Sequence, residues 1–417
     1  CAAQLLQGLV QLTGECGGQT HMNDMTILPS CLRAMFGGLL ALSLTAGVDV
    51  ATTGQSSGGV DGPKLNPNRT VKVALLVPSG SGNANQENLA NNLIRAAEMA
   101  IADHPNAKID MRVYATHGNA TQATSAAQAA ISDGAKIIIG PLFAESANAV
   151  GKVAAAKNIN VLSFSNNTGV AGGNVFVLGN SFQNTANRIV GYASAKGYKS
   201  VAVVSPQNAA GTAAAAAVKS AASRTGARFA GSYTYPFSPE GIAGAVPSIA
   251  SKLSSSGSTA VVLTADSASG LPLLAQRLPA GGLDIETIKI LGLARWDIPQ
   301  STLSNPGLRG GWFTIPDGAA ISAFNGRFNN TYGTAPHPLA GIAYDGMKAF
   351  AELRSNKNPG AAQRSQLSRA QGFRGASGTF RLLKNGSTQR ALSVAEASAG
   401  GLRVISSAPT KFGGSGS

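Results

Sequence analysis

Residues 71–101, VKVALLVPSGSGNANQENLANNLIRAAEMAI, run from a buried-strand pattern through a polar, glycine-rich turn into a helical pattern. The unit recurs at 136–156 (KIIIGPLFAESANAVGKVAAA) and at 200–222 (SVAVVSPQNAAGTAAAAAVKSAA). Strands that alternate with helices in this way build parallel sheets with right-handed crossovers. Ligands of such sheets meet the loops at the carboxyl ends of the strands. The chain therefore reads as an α/β protein that binds a small molecule at loops of small polar residues.

At 417 residues the chain is long enough for two lobes with their own cores. Only 12% of the residues are charged and 6% aromatic, which suits close-packed α/β layers and argues against disorder. The formal charge is +14 and unevenly spread: from Arg354 onward ten Lys/Arg face a single acid, Glu396. Such an end reads as a solvated basic surface, or as a face for anionic lipid or polymer. No stacking aromatics interleave with these charges, so nucleic acid is not an expected partner.

Residues 22–47 resemble a bacterial secretory signal, with Arg33 before the short apolar run MFGGLLALSL and the small residues Thr45-Ala46-Gly47 after it. Leu44-Thr45-Ala46-Gly47 resembles the start of a lipoprotein signal, but Val48 stands where the lipidated Cys would be. Residues 1–21 precede a plausible start at Met22 and are set apart from the fold. Cys1, Cys16 and Cys31 all lie before the expected cleavage site. The mature chain would then have no disulfide, thiolate nucleophile or Cys-bound metal. Residues 48–69 read as a Gly/Ser/Pro-rich linker and 406–417 as a flexible tail.

Between them the expected strands are 71–77, 109–115, 137–140, 160–164 and 174–178, with helices at 86–102, 120–132 and 146–157. A helix at 181–196 crosses to a second series: strands 201–205, 228–235, 260–264 and 289–292, helices 211–225, 242–255 and 270–278. Residues 312–315 cross back, helices 319–332 and 337–353 rejoin the first lobe, and 379–383 with 392–397 form a hairpin-like ending around Lys384-Asn385-Gly386. The lobes are expected at 70–180 plus 314–385 and at 181–313 plus 386–405. Their hinge is expected near 180–182, 312–314 and 385–391.

Several short motifs, in order from about 70 to 404, carry a family resemblance. VALLVPSGSGNA resembles the first strand and ligand loop of leucine-binding-type proteins, IIIGPLFAESANAV their "IGP…S" strand and loop, and VLSFSNNTG their next loop. AYDGMKAFAEL resembles their "YDA" helix, and GFRGASGTFRLLKNG their terminal F-x-G-x-x-G motif. The resemblance implies the type I periplasmic binding protein fold: two doubly wound, Rossmann-like α/β lobes joined by a multi-strand hinge. Within that superfamily the opening and the altered lipoprotein signal are most similar to penicillin-binding-protein activator lipoproteins. Those activators carry a helical-repeat domain before this one, and none is visible here.

The resemblance places a ligand-binding cleft at Ser79, Ser81, Phe143, Ser165, Asn167 and Thr168 in the first lobe and at Asn208, Asp266 and Trp296 in the second. Hydroxyls and backbone N–H groups of the first set suit a ligand carboxylate. In the second set, the acid that would pair a ligand ammonium after strand 289–292 is replaced by Ala294 or Arg295, leaving Asp266 as a substitute. An unpaired buried ammonium is costly, which weakens the amino-acid reading. For each polar loop residue, ordinary turn or cap chemistry is the alternative, and for Trp296 and Trp312 it is core or hinge packing.

Catalysis is not expected. Gly80-Ser81-Gly82 begins a dinucleotide-type loop whose third glycine falls on Asn85, and no phosphate loop occurs. His104, His117 and His337 sit in unrelated contexts and imply no triad or metal site. No cofactor or metal is expected. The expected function is that of a non-catalytic, monomeric periplasmic protein of a Gram-negative bacterium, with the N-terminus as an optional link to the inner or outer membrane. The first reading is an activator that docks a peptidoglycan synthase. The alternative is the receptor of an ABC permease that delivers an amino acid or another small polar solute.

Overall fold

The computed structural model describes residues 60–399 and 401–412. The expected leader, its cleavage site and the three cysteines lie outside the described residues. The first sheet is all parallel, in the order β2-β1-β3-β4-β5: β1 (Val71–Val77), β2 (Ile109–Ala115), β3 (Ile137–Ile139), β4 (Val161–Ser163) and β5 (Val175–Val177). Helices α1 (Ala84–Ala102), α2 (Ala120–Ser132) and α3 (Ala144–Ala155) connect its strands. Alternation along β1 sends Val73, Leu75 and Val77 to a core shared with α1, and Ala74 and Leu76 to one shared with α2 and α3.

Helix α4 (Phe182–Ala195) leads into a second sheet built the same way. Strands β6 (Ser200–Pro206), β7 (Arg228–Tyr235), β8 (Ala260–Leu263), β9 (Lys289–Gly292) and β10 (Trp312–Ile315) lie parallel in the order β7-β6-β8-β9-β10. Helices α5 (Ala209–Thr225), α6 (Pro239–Ser255) and α7 (Leu271–Ala280) cover its faces. The chain then returns through α8 (Gly318–Tyr332), α9 (Ala340–Ser355) and the short α10 (Arg364–Leu367), which pack on the first lobe's core. A small sheet follows on that lobe, β11 (Phe373–Gly375), β12 (Gly378–Leu382) and β13 (Thr388–Arg390). Finally β14 (Ser393–Ser398) and β15 (Gly401–Ser406) extend the second sheet antiparallel beside β10.

The C-terminal pairing differs from the expected hairpin. The turn at Lys384-Asn385-Gly386 joins β12 to β13, and the residues expected as its second strand form β14 against β10 instead. Two lobe boundaries move with it. Trp312–Ile315 lies wholly inside the second sheet, so the crossing falls at Pro316 and Asp317 rather than at 312–314. The last crossing falls at Ala391 and Leu392, because β13 through Arg390 belongs to the first lobe's small sheet. Residues 60–69 of the expected linker are also fastened to the first lobe. Leu65 is buried and its N–H donates to the Pro359 carbonyl at 2.7 Å. The guanidinium of Arg354, 1% exposed, donates to the carbonyls of Asn66, Pro67 and Arg69. Past β15, the Ala408 N–H donates to Ser393 Oγ at 2.9 Å and Arg381 lies over the Phe412 ring.

The crossings meet at one guanidinium. Arg390 donates to the Leu178 carbonyl at the end of β5 (2.9 and 2.8 Å), to Asp345 Oδ2 on α9 (2.6 Å) and to Ser377 Oγ (3.1 Å). Asp345 Oδ1 in turn accepts the Ala376 N–H at 2.6 Å. Asn184, in the first turn of α4, accepts the Arg390 N–H at 3.0 Å and donates to its carbonyl at 3.1 Å. The Tyr-Asp-Gly and F-x-G-x-x-G motifs thereby gain a physical reason. Gly375 is required because a Cβ there would lie 2.1 Å from Asp345 Oδ1, and Gly346 because one would lie 2.7 Å from Leu178. Asp345 and Arg390 side chains are 1% and 9% exposed, so removing one leaves a buried, unpaired charge. Arg390→Ala is expected to cost about 3–5 kcal/mol in urea unfolding. A loss below about 1 kcal/mol would mean that the pair does not hold the crossings.

Candidate functional site

Both sheets reverse their order beside the first strand of the series, at β1/β3 and at β6/β8. Ligands of open α/β sheets bind outside the carboxyl ends of the strands at such switch points. The structure places the sequence-derived residues on these loops as two groups. Ser79 and Ser81 follow β1, Phe143 follows β3, and Ser165, Asn167 and Thr168 follow β4. Asn208 follows β6, Asp266 follows β8 and Trp296 follows β9.

Much of their polarity is already engaged locally. Ser81 Oγ accepts the Asn83 N–H at 3.2 Å, Ser165 Oγ the Asn167 N–H at 3.1 Å, and Asn167 Oδ1 the Gly169 N–H at 2.9 Å. Asn208 caps α5 by accepting the Gly211 N–H at 2.8 Å, and Asp266 Oδ1 accepts the Ala268 N–H at 3.1 Å. These are the turn and cap bonds such residues make at element ends. Gly211 is needed at that cap, since a Cβ would lie 2.0 Å from the Pro206 carbonyl oxygen. Each oxygen keeps lone-pair capacity, and each hydroxyl its own proton. Asn167 and Thr168 are exposed, Ser79, Ser81, Phe143, Asn208 and Asp266 half-buried, and Ser165 buried.

Trp296 departs from the expected cleft. Its side chain is 0% exposed and belongs to the second lobe's core. It stacks on Phe313 with ring centroids 5.1 Å apart and fills the space left by Gly292 and Gly311. The short turn after β9 folds it back over the sheet, so it lines no cleft. Its neighbours Arg295 and Asp297 pair with each other. Phe237, by contrast, is absent from the sequence-derived set, yet it is 55% exposed on the loop after β7. Tyr-Pro-Phe-Ser-Pro at a strand end is the signal that could have found it.

Four polar atoms at this end of the second sheet are buried with no hydrogen-bond partner among the described residues: Ser205 Oγ, Thr264 Oγ1, Tyr235 Oη and Trp296 Nε1. Ser205 and Thr264 extend paired strands on the face toward α4 and α5. Tyr235 lies on the opposite face, where burial first and the nearby Asp266 second push its phenol up to about 12. A recess of about 480 Å³ opens beside Ser205 and is walled by Gln207, Asn208, Thr212, Ser232 and Thr234. Among the described residues no group of three or more His, Cys, Asp or Glu is placed to hold a metal, and no helix is long and apolar enough to cross a membrane.

The family model described as "Periplasmic binding protein" matches residues 70–401, four-fifths of the chain. The chain belongs to the periplasmic binding protein family. That membership implies a periplasmic location for this binding protein, and proteins of this family are typically ligand binders rather than enzymes. A comparison with curated proteins gave no match. Among solved structures it resembles a branched-chain amino acid ABC transporter periplasmic ligand-binding protein of Burkholderia xenovorans (17% identity, TM-score 0.63, covering 81% of this chain and 95% of that one). It also resembles an ABC transporter substrate-binding protein of Desulfitobacterium hafniense in complex with Leu (15%, TM-score 0.57, 81% and 100%). A third is a solute-binding protein of Rhodopseudomonas palustris in complex with 3,4-dihydroxybenzoic acid (18%, TM-score 0.52, 81% and 96%). At these identities the likeness is one of fold.

Because Trp296 is fully buried in the core, Trp296→Ala is expected to cost about 3–5 kcal/mol of stability in a denaturant titration. A cost near zero would return Trp296 to the cleft.

Proposed function

We propose that this periplasmic binding protein is the solute receptor of an ABC importer, holding a small molecule between the carboxyl ends of its two sheets. The observation that carries the reading is the doubled architecture: two sets of five parallel strands in the same order, each presenting small polar loops at its switch point, joined by three chain crossings. Two lobes on three short connections can close over a solute with φ/ψ changes confined to a few residues. The family match and the transporter receptors among its structural relatives support this reading over the activator reading, and a permease over a peptidoglycan synthase as the partner. In the closed state Ser79, Ser81, Phe143, Ser165, Asn167 and Thr168 would approach the solute from the first lobe, Asn208 and Asp266 from the second. Phe237 would add an apolar face.

A solute that binds only the folded protein stabilises it by mass action, by about 2.7 kcal/mol at a hundredfold excess over Kd. Thermal unfolding against a library of amino acids, aromatic acids, sugars, short peptides and muropeptides is therefore expected to show a rise of a few degrees for one chemical class. No shift across the library, together with stable capture of a peptidoglycan synthase, would overturn the receptor reading in favour of the activator.

A further inference from the structure

The loop after β1 has the form of an anion nest, with successive N–H groups and left-handed glycines, Gly80 at φ 79° and Gly82 at φ 75°. Its donors are already taken by a carboxylate of the chain itself. Glu87 Oε1, from the first turn of α1, accepts the Gly80 N–H at 2.6 Å and the Ser81 N–H at 3.1 Å. Asn83 donates its own N–H to Ser81 Oγ, and its Oδ1 takes the N–H groups of Asn85 and Gln86. An incoming carboxylate would find the Gly80 and Ser81 N–H groups occupied and a like charge in its place.

The second lobe is organised for different chemistry. The recess at the end of β6 is lined by neutral residues, with hydroxyls from Ser205, Thr212, Ser232 and Thr234 and amides from Gln207 and Asn208. Ser205 is one of its lining residues, 1% exposed, and its Oγ has no partner among the described residues. Register places Ser205 opposite Thr234 on β7 and one step past the paired Val204 and Leu263, which brings it level with Thr264. An unpaired buried hydroxyl costs stability unless a ligand completes it. Arg295, on the loop after β9, is paired with Asp297.

We propose that the solute is neutral and hydroxyl-rich, of the saccharide class, with Ser205 as a hydrogen-bonding residue in the second-lobe recess and Glu87 as the residue that excludes carboxylate ligands from the first lobe. This rests on the solute-receptor reading and narrows it. Ser205 offers a donor and an acceptor to a ligand hydroxyl; of the neighbouring amides, Gln207 Nε2 already donates to Thr234 Oγ1 at 3.2 Å and Asn208 Oδ1 caps α5, which leaves the Gln207 oxygen and the Asn208 NH2 to a ligand. Glu87 sets selectivity by occupying the place a carboxylate would take.

The test is titration calorimetry of the full chain with glucose, N-acetylglucosamine, glucuronate, leucine and benzoate. At least one neutral sugar is expected to bind, and glucuronate, the carboxylate counterpart of glucose, to bind at least tenfold more weakly than glucose. Ser205→Ala is expected to raise the Kd for the bound sugar about tenfold while leaving the unliganded melting temperature unchanged or higher, since it deletes an unpaired buried group. Glu87→Ala is expected to tighten benzoate or glucuronate binding at least tenfold. Tight binding of leucine or benzoate by the wild type, without sugar binding, overturns this inference and leaves the receptor reading standing. An unchanged sugar Kd in Ser205→Ala, or unchanged carboxylate binding in Glu87→Ala, overturns the role of that residue. No heat with any of the five probes overturns the saccharide assignment.

Discussion

The ion pair between Arg390 and Asp345 sits in the first lobe, where the chain crosses to the second, and the Arg390 backbone bonds Asn184 of α4. One guanidinium ties the end of β5, helix α9 and the final crossing to a common point, and its carboxylate partner also holds the turn after β11. Buried pairs of this kind add little net stability over an apolar core, but they penalise any arrangement that separates them. A hinge needs that property. In the proposed receptor the crossings would stay in register while the residues between lobes change their dihedral angles.

The same economy explains the basic C-terminal stretch. Read along the chain, its positive charges form a surface of excess charge; in space several are internal fasteners. Arg354 caps the carbonyls of Asn66, Pro67 and Arg69, Arg364 holds those of Gly173 and Lys384, Arg369 pairs with Glu352, and Arg390 sits where the chain crosses between lobes. Guanidinium suits this work because its planar fork satisfies several carbonyls at once. A one-dimensional charge count cannot distinguish an arginine that satisfies backbone carbonyls from one that faces water.

The strand–loop–helix alternation is legible almost to the residue, because the apolar run of β1 and the small-residue faces of α2 and α5 are strong local signals. β2 spans 109–115 and β7 spans 228–235, both as read from the sequence. The legible part ends where pairing becomes non-local. The short β11 and β13 have no periodicity of their own, so the hairpin after β12 is read onto the next apolar run, which belongs to β14. The candidate site is legible as loops and not as chemistry. The structure puts Ser79, Ser165, Asn208 and Asp266, proposed from the family resemblance, on the loops that follow β1, β4, β6 and β8. That Trp296 turns inward depends on Gly292 and Gly311, and that Glu87 fills the loop after β1 depends on a helical register seven residues on. Neither follows from a motif.

The central claim is that a single small molecule, rather than a protein, occupies the space between the lobes. Native mass spectrometry of the protein after equilibration with a periplasmic small-molecule extract tests it whatever the identity of the ligand. The account predicts a one-to-one adduct of low molecular mass that is lost on unfolding. A bare polypeptide mass under the same conditions, with a protein partner retained from whole envelope extract, would contradict it.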